Sequence, residues 1–255
     1  MASTRLRVRV WDEHPSHAPR DIYPTSINGS IAEGLEELDT GRLQVTVGNL
    51  DEAGQGVSQA DLDATDVLFW WGHARHGEVT DETAGRVQRQ AHERGMGLVA
   101  LHSAHYSKAF QWVVGASGNL KGGWRETTPP DVEHVRVCAP WHPIAQGVED
   151  FTLHQEEMYG APFDVPPPLC MVLQSHFPLG NETFPSGLCW TVGPGRTEGF
   201  ACGPGGGVGE GEGICRAFYF RPGHETFPTY FHPAVRRILY NAALWCAPQA
   251  LRADA

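Results

Sequence analysis

The sequence predicts an α/β protein: a mainly parallel central sheet with helices on both faces. Three observations carry this. Residues 67–71 (VLFWW) and 97–101 (GLVAL) are short apolar runs, the pattern of strands buried on both sides. Helical periodicities lie between such runs through the first half of the chain. The runs end abruptly in glycine or histidine, at the carboxyl ends of strands where an open parallel sheet binds ligands.

The elements follow in order. Residues 5–11 (RLRVRVW) alternate as a strand does. Ser30-Ile31-Ala32-Glu33 matches a capping box, in which the serine caps a helix and the glutamate reaches back. Ile31, Leu35 and Leu38 then share one face, and Gly41 can end that helix. Residues 43–47 give a second strand and 67–71 a third. Thr80 is a suitable N-cap, with Asp81 and Glu82 in a first turn that favours negative charge. Ala84, Val87 and Ala91 share a face, Gly95 stops the helix, and 97–101 is the fourth strand. Residues 132–137, 171–175, 187–192 and 214–220 also read as strands, interrupted by Pro166-Pro167-Pro168. Residues 193–213 form a glycine-rich insertion without the GK[ST] ending of a phosphate-binding loop, which reads as a surface insertion or a lid. A last helix starts at Pro233 and buries Val235, Ile238, Leu239 and Ala242. No repeat or linker divides residues 1–255, so one domain is expected.

Composition narrows the function. The hydrophobic share of 41% and the charged share of 19% are those of a soluble globular protein. A formal net charge of −11 opposes binding along a nucleic-acid backbone, which needs a basic face. No run approaches the roughly 20 apolar residues of a membrane span. Residues 1–10 do not read as a secretion signal, so a cytoplasmic location is expected. The six cysteines contain no CxxC pair and are expected to be reduced and structural. No GxGxxG follows the first strand, so no nucleotide cofactor is expected.

Three histidine-bearing segments follow predicted strand ends. They are Gly72-His73-Ala74-Arg75-His76, His102-Ser103-Ala104-His105 and Arg221-Pro222-Gly223-His224-Glu225. One histidine after a strand is usually a loop hydrogen-bonder; three clusters at equivalent positions point to a site. Two chemistries fit. In one, His73, His76, His105, His224 and Glu225 hold zinc or another divalent metal with an open position for substrate. In the other, His73, His76, His102, His224 and Glu157 move protons while Arg221 stabilises an oxyanion. Glu156-Glu157 in LHQEEMYG offers the carboxylate, although paired acids in a solvated segment are common. Ser103 follows its strand as a nucleophile does at an elbow, but LHSAH lacks the glycines of G-x-S-x-G. Aromatic residues gather near these segments: Trp70, Trp71, Tyr106, Trp124, Tyr159, Phe227 and Tyr230. Flat apolar faces beside hydrogen-bonding groups suit a sugar ring. Trp11, Asn28, Trp71, Ser103, Tyr106, Tyr159 and Tyr230 are the expected substrate contacts.

WWGHARHGEV, ALHSAHYSKAF, HPIAQGVEDFTLHQEEMYGAPFDVP and FYFRPGHETFPTY, in this order, resemble the ThuA family of trehalose-utilisation proteins over about residues 7–245. The resemblance implies a flavodoxin-like sandwich similar to class I glutamine amidotransferases. It also implies a role in sugar catabolism, beside a sugar dehydrogenase that makes 3-keto sugars. In the amidotransferases the elbow carries a cysteine; here Ser103 is expected at that place, so glutaminase activity is not expected. Two segments depart from the family pattern. Asn28 stands where relatives carry a histidine in a YPxGIH-like segment, and residues 176–187 replace an aromatic-rich WFxGGEVFRSG stretch. The expected activity is isomerisation, elimination or hydrolysis of a keto-sugar or keto-glycoside. The alternatives are a non-catalytic sugar-binding or regulatory protein and a hydrolase using Ser103. Partners beyond a small-molecule sugar are not specified by the sequence, and association into a homo-oligomer stays open.

Overall fold

The computed structural model describes residues 5–193, 196–197, 215–248 and 251. The first half runs β1 (Leu6–Asp12), α1 (Ser26–Leu38), β2 (Leu43–Asn49), α2 (Gln59–Asp63), β3 (Val67–Gly72), α3 (Asp81–Arg94), β4 (Gly97–His102) and α4 (Lys108–Val114). The second half runs β5 (Trp124–Arg125), β6 (Asp131–Val137), β7 (Phe151–Glu156), β8 (Met158–Tyr159), β9 (Cys170–Phe177), β10 (Glu182–Gly193), β11 (Arg196–Thr197), β12 (Cys215–Phe220) and α5 (Pro233–Cys246). Of the glycine-rich stretch 193–213, only Gly193, Arg196 and Thr197 are among the described residues.

The main sheet has the order β2-β1-β3-β4-β12-β10-β9-β6-β7, with β11 beside β10. Strands β2, β1, β3, β4 and β12 are parallel. From β12 outward the pairing is antiparallel. The sheet is therefore mixed, and its parallel half is the part that the apolar runs specify. Successive side chains of a strand point to opposite faces. Val67, Phe69 and Trp71 of β3 enter one core with α1 and α5, while Leu68 and Trp70 enter the other with α3 and α4. The same alternation holds in β4, with Val99 and Leu101 on one side and Leu98 and Ala100 on the other. Runs apolar at every position need both faces covered, and both are.

Helix α3 matches its expected ends: the Thr80 hydroxyl accepts the Thr83 N–H, and Gly95 takes the left-handed conformation at φ 75°. Helix α1 does not. It starts at Ser26, so Ser30 is a second-turn residue whose hydroxyl donates to the Ser26 carbonyl, and no capping box forms. The cap comes from the end of β1. Buried Asp12 accepts the Ser26 hydroxyl (2.6 Å) and the Asn28 N–H (3.0 Å), placing a carboxylate at the positive end of the helix. The helix stops at Leu38 with Asp39 as C-cap, ahead of Gly41. The segment around Glu156-Glu157 is not solvated either: it forms β7 and β8, and both acids are buried. No helix among the described residues is long and apolar enough to cross a membrane.

Asp12→Ala removes this cap and leaves an N-terminal N–H group unsatisfied beneath the sheet. The expected loss is about 2 kcal/mol of unfolding free energy, read from urea denaturation. An unchanged midpoint would show that other groups hold the helix start.

Candidate active site

Adjacent parallel strands build the site. The register sets Gly72 of β3 beside His102 of β4, and Leu101 of β4 beside Phe220 of β12. His73, His102 and the turn 221–225 therefore leave the sheet side by side. His73, His102, His224 and Glu225 each offer one ligand atom, and these atoms lie within 4.8 Å of one another. Nδ1 of His73 is 3.0 Å from Nε2 of His102. Oε1 of Glu225 is 3.7 Å from Nε2 of both His73 and His224. His102 has φ 55° and ψ −125°, a backbone conformation rare for any residue but glycine. The strained elbow is thus His102, not Ser103 as the sequence suggested.

Burial sets the charge states. It pushes His102 well below its ordinary value, helped by His73 and His224 nearby, and pushes His224 down as well. Both imidazoles are neutral at neutral pH, the form that binds metal. Burial pushes the Glu157 carboxyl up to about 8, against the opposing pull of Arg221. Oε2 of Glu157 lies 3.7 Å from Nε2 of His102. Neither that oxygen nor Oε2 of Glu225 has a hydrogen-bond partner, although both are buried. Such atoms are costly unless something else meets them.

Surrounding groups hold these residues. Glu13 accepts the backbone N–H groups of His73, Ala74 and Arg75 at 2.9, 2.6 and 2.9 Å, fixing the turn after β3. The Trp71 ring lies against His73 and His102, and its indole N–H donates to the Gly223 carbonyl at 3.0 Å. The Gly223 N–H donates to Glu156 at 2.9 Å. Gly223 has φ 127°, and a Cβ there would sit 2.1 Å from the Tyr230 hydroxyl. Only glycine fits that turn, and His224 and Glu225 follow it directly.

Several expected roles change. Arg221 is fully buried between Glu133 and Glu156 and donates to the Glu157 carbonyl at 2.5 Å, so these groups hold it behind the cluster. His76 and His105 lie outside the four-residue cluster. His76 packs over Gly72 against Tyr106, and His105 is buried with Nδ1 2.6 Å from the Gly118 carbonyl. His102 lies within that cluster. Trp11 stacks on Trp70 and donates to the Gln55 carbonyl, away from the cluster. Asn28 donates to the Gly48 carbonyl inside the fold. Tyr230 and Trp71 are buried behind the turn they support, and Tyr106 packs on His105 and His76. Ser103 lies 2.5 Å from the Tyr159 hydroxyl, and that hydroxyl is 3.4 Å from Nδ1 of His102. A serine nucleophile would need a base in direct contact, and its partner is a phenol. Glu13, His17 and Glu126 were not expected. His17 reaches Glu225 at 2.8 Å, and Glu126 lies 3.6 Å from His224. Glu13 and His17 follow the end of β1, so the strand-end rule that found the other clusters also points to them.

The fold and the cluster together define an α/β protein with a buried histidine–carboxylate site at the carboxyl ends of parallel strands. The chain belongs to the ThuA family, described as trehalose utilisation, whose profile matches residues 7–246. Among solved structures it is similar to a ThuA-like protein from Parabacteroides merdae at 13% identity and TM-score 0.62, over 95% of this chain and 90% of that one. That likeness extends the fold to another ThuA-like protein. Two further structures align with lower scores. A GMP synthase component from Thermoplasma acidophilum has 14% identity and TM-score 0.48, over 95% of this chain and 94% of that one. The Trypanosoma brucei CTPS glutaminase domain with bound acivicin has 11% identity and TM-score 0.44, over 93% of each chain. No curated protein matches the sequence.

Burial holds folded His105 down at about 3, whereas the unfolded chain takes up that proton near its ordinary value of about 6.5. Between those values the unfolded state binds more protons, so stability falls as the pH drops. One such group contributes a slope of up to about 1.4 kcal/mol per pH unit. His105→Gln keeps a donor for Gly118 and removes the titration. Its stability should depend less steeply on pH between 6 and 4 than the wild type's (roughly the window set by those values), measured by thermal unfolding. Parallel curves would show that His105 titrates alike in both states.

Proposed function

We propose that this protein is an enzyme of sugar catabolism that acts on a keto-sugar or keto-glycoside. We propose further that His73, His102, His224 and Glu225 hold a divalent metal ion. The observation that carries this reading is the convergence of three imidazoles and a carboxylate whose second oxygen is buried and unpaired. The donor set suits zinc or another first-row divalent ion. Tetrahedral bonds of about 2.0–2.1 Å set ligand atoms about 3.3 Å apart. The His73 Nδ1–His102 Nε2 pair at 3.0 Å and the His224 Nε2–Glu225 Oε1 pair at 3.7 Å bracket that spacing. When bound, such an ion supplies Lewis acidity to a carbonyl oxygen.

The chain's own residues supply the proton transfer. A carbonyl at C3 acidifies the neighbouring C–H. With its carboxyl pushed up to about 8, Glu157 exists in both protonation states near neutral pH. Its carboxylate takes the proton while the C–H electron pair moves toward the carbonyl. Returning the proton to the former carbonyl carbon, while the neighbouring hydroxyl proton passes to the former carbonyl oxygen, isomerises the sugar. Handing it instead to a departing glycosidic oxygen completes an elimination. Tyr159, beside His102 and Ser103, holds the elbow imidazole in place. Exposed Trp124 pairs with Tyr159 across β5 and β8, near Glu126, and offers an indole face to a sugar ring. A sugar dehydrogenase would supply the keto group in a preceding oxidation.

Metal content and turnover of a 3-keto-glycoside test this reading. His102→Ala should lose the ion. Glu157→Gln should keep it and lose at least about 100-fold in kcat, the scale of general acid–base catalysis. Wild-type turnover by Glu157→Gln would exclude the proton-transfer role. Saturable sugar binding without product would make the protein a binder.

A further inference from the structure

We propose that His17 is a positioning residue for the metal site, holding the Glu225 carboxylate in place through Oε1, the oxygen that also faces His73 and His224. This rests on the metal reading given above. Nε2 of His17 lies 2.8 Å from Oε1 of Glu225, and Oε2 of Glu225 is buried with no partner. Oε1 is thus anchored by His17 and stands 3.7 Å from Nε2 of both His73 and His224, and an ionised carboxylate oxygen keeps a further lone pair for an ion. Carboxylate ligands are commonly oriented by an outer hydrogen bond of this kind, and its loss typically costs 10- to 100-fold in metal affinity.

His17 reaches this place from the segment between β1 and α1, far from Glu225 in sequence. That segment is tied down at both ends. At its start the His14 ring lies 2.7 Å from Asp51, and Glu13 holds the turn 73–75. At its end the Tyr23 hydroxyl donates to the Phe227 carbonyl at 2.6 Å, just beyond Glu225. The His17 ring also stands 5.9 Å from the ring of His73, at 48° to it. Its side chain is 45% exposed, whereas that of Glu225 is 3% exposed. A half-exposed imidazole on a deeply buried carboxylate contributes little to the core. What it fixes is the direction of the carboxylate.

The test uses the full-length protein and zinc or cobalt(II) alone, with affinity measured by competition against a chromophoric chelator. His17→Ala should bind zinc 10- to 100-fold more weakly. His17→Gln, whose amide N–H can still donate to Glu225, should recover much of that loss. The cobalt(II) visible spectrum should keep its shape in both variants, because the ligands are unchanged. Wild-type affinity in His17→Ala would overturn the proposal. So would a changed cobalt spectrum with no recovery by Gln, which would make His17 a ligand itself. If the wild-type protein takes up no divalent ion, the metal reading fails and this inference fails with it. Circular dichroism separates each of these results from misfolding, and the exposure of His17 makes its replacement tolerable.

Discussion

Everything at the site leans on one buried charge. Arg221 sits at the seam of the sheet, just past β12, where parallel pairing gives way to antiparallel. It is fully buried, and taking an ion out of water costs several kcal/mol unless partners replace the solvent. The antiparallel half supplies those partners: Glu133 from β6, Glu156 from β7 and the Glu157 carbonyl. Burial opposes the charge on Arg221, but the two glutamates outweigh it and hold its pKa above the ordinary value. Removing Arg221 would leave two buried glutamates with no cation between them.

Two adjacent acids divide the remaining work. Glu156 accepts the Gly223 N–H and the Thr229 hydroxyl, so it is spent on shaping the turn that carries His224 and Glu225. Burial pushes its carboxyl up to about 7, which relieves the excess negative charge of two glutamates around one arginine. Glu157 has its carbonyl held by Arg221 and its carboxyl turned toward His102. Neighbouring residues in an extended chain face opposite ways, and here one faces structure and the other faces the site.

The parallel strands were legible because a run apolar at every position has few other uses. The histidine clusters were legible because they follow those runs. What stayed hidden depended on partners distant in sequence. The start of α1 is decided by Asp12, a residue of another element, and no local cap at Ser30 competes with it. His105 and His76 look equivalent to His102 and His73 in the sequence, yet each turns into packing once its loop folds back. The sequence also placed Arg221 at a strand end, where cations bind anions, but could not show that two glutamates from the other half of the sheet enclose it.

Strands β4 and β12 are neighbours in the sheet, yet β5 to β11 are inserted between them in sequence. The excursion that carries Glu126, Glu157, Tyr159 and Trp124 is therefore one contiguous stretch, locked to the parallel frame by Glu133 and Glu156 on Arg221. The histidines at the ends of β3 and β4, with Glu13 and Glu225, belong to the frame, and Glu126, Glu157, Trp124 and Tyr159 belong to the insert. The two parts are coupled, because Glu156 of the insert also accepts the N–H of Gly223 in the turn that carries His224 and Glu225. The departure at residues 176–187 lies within that insert. A change anywhere in this one stretch of chain therefore reaches the histidine cluster through Glu156 and Arg221.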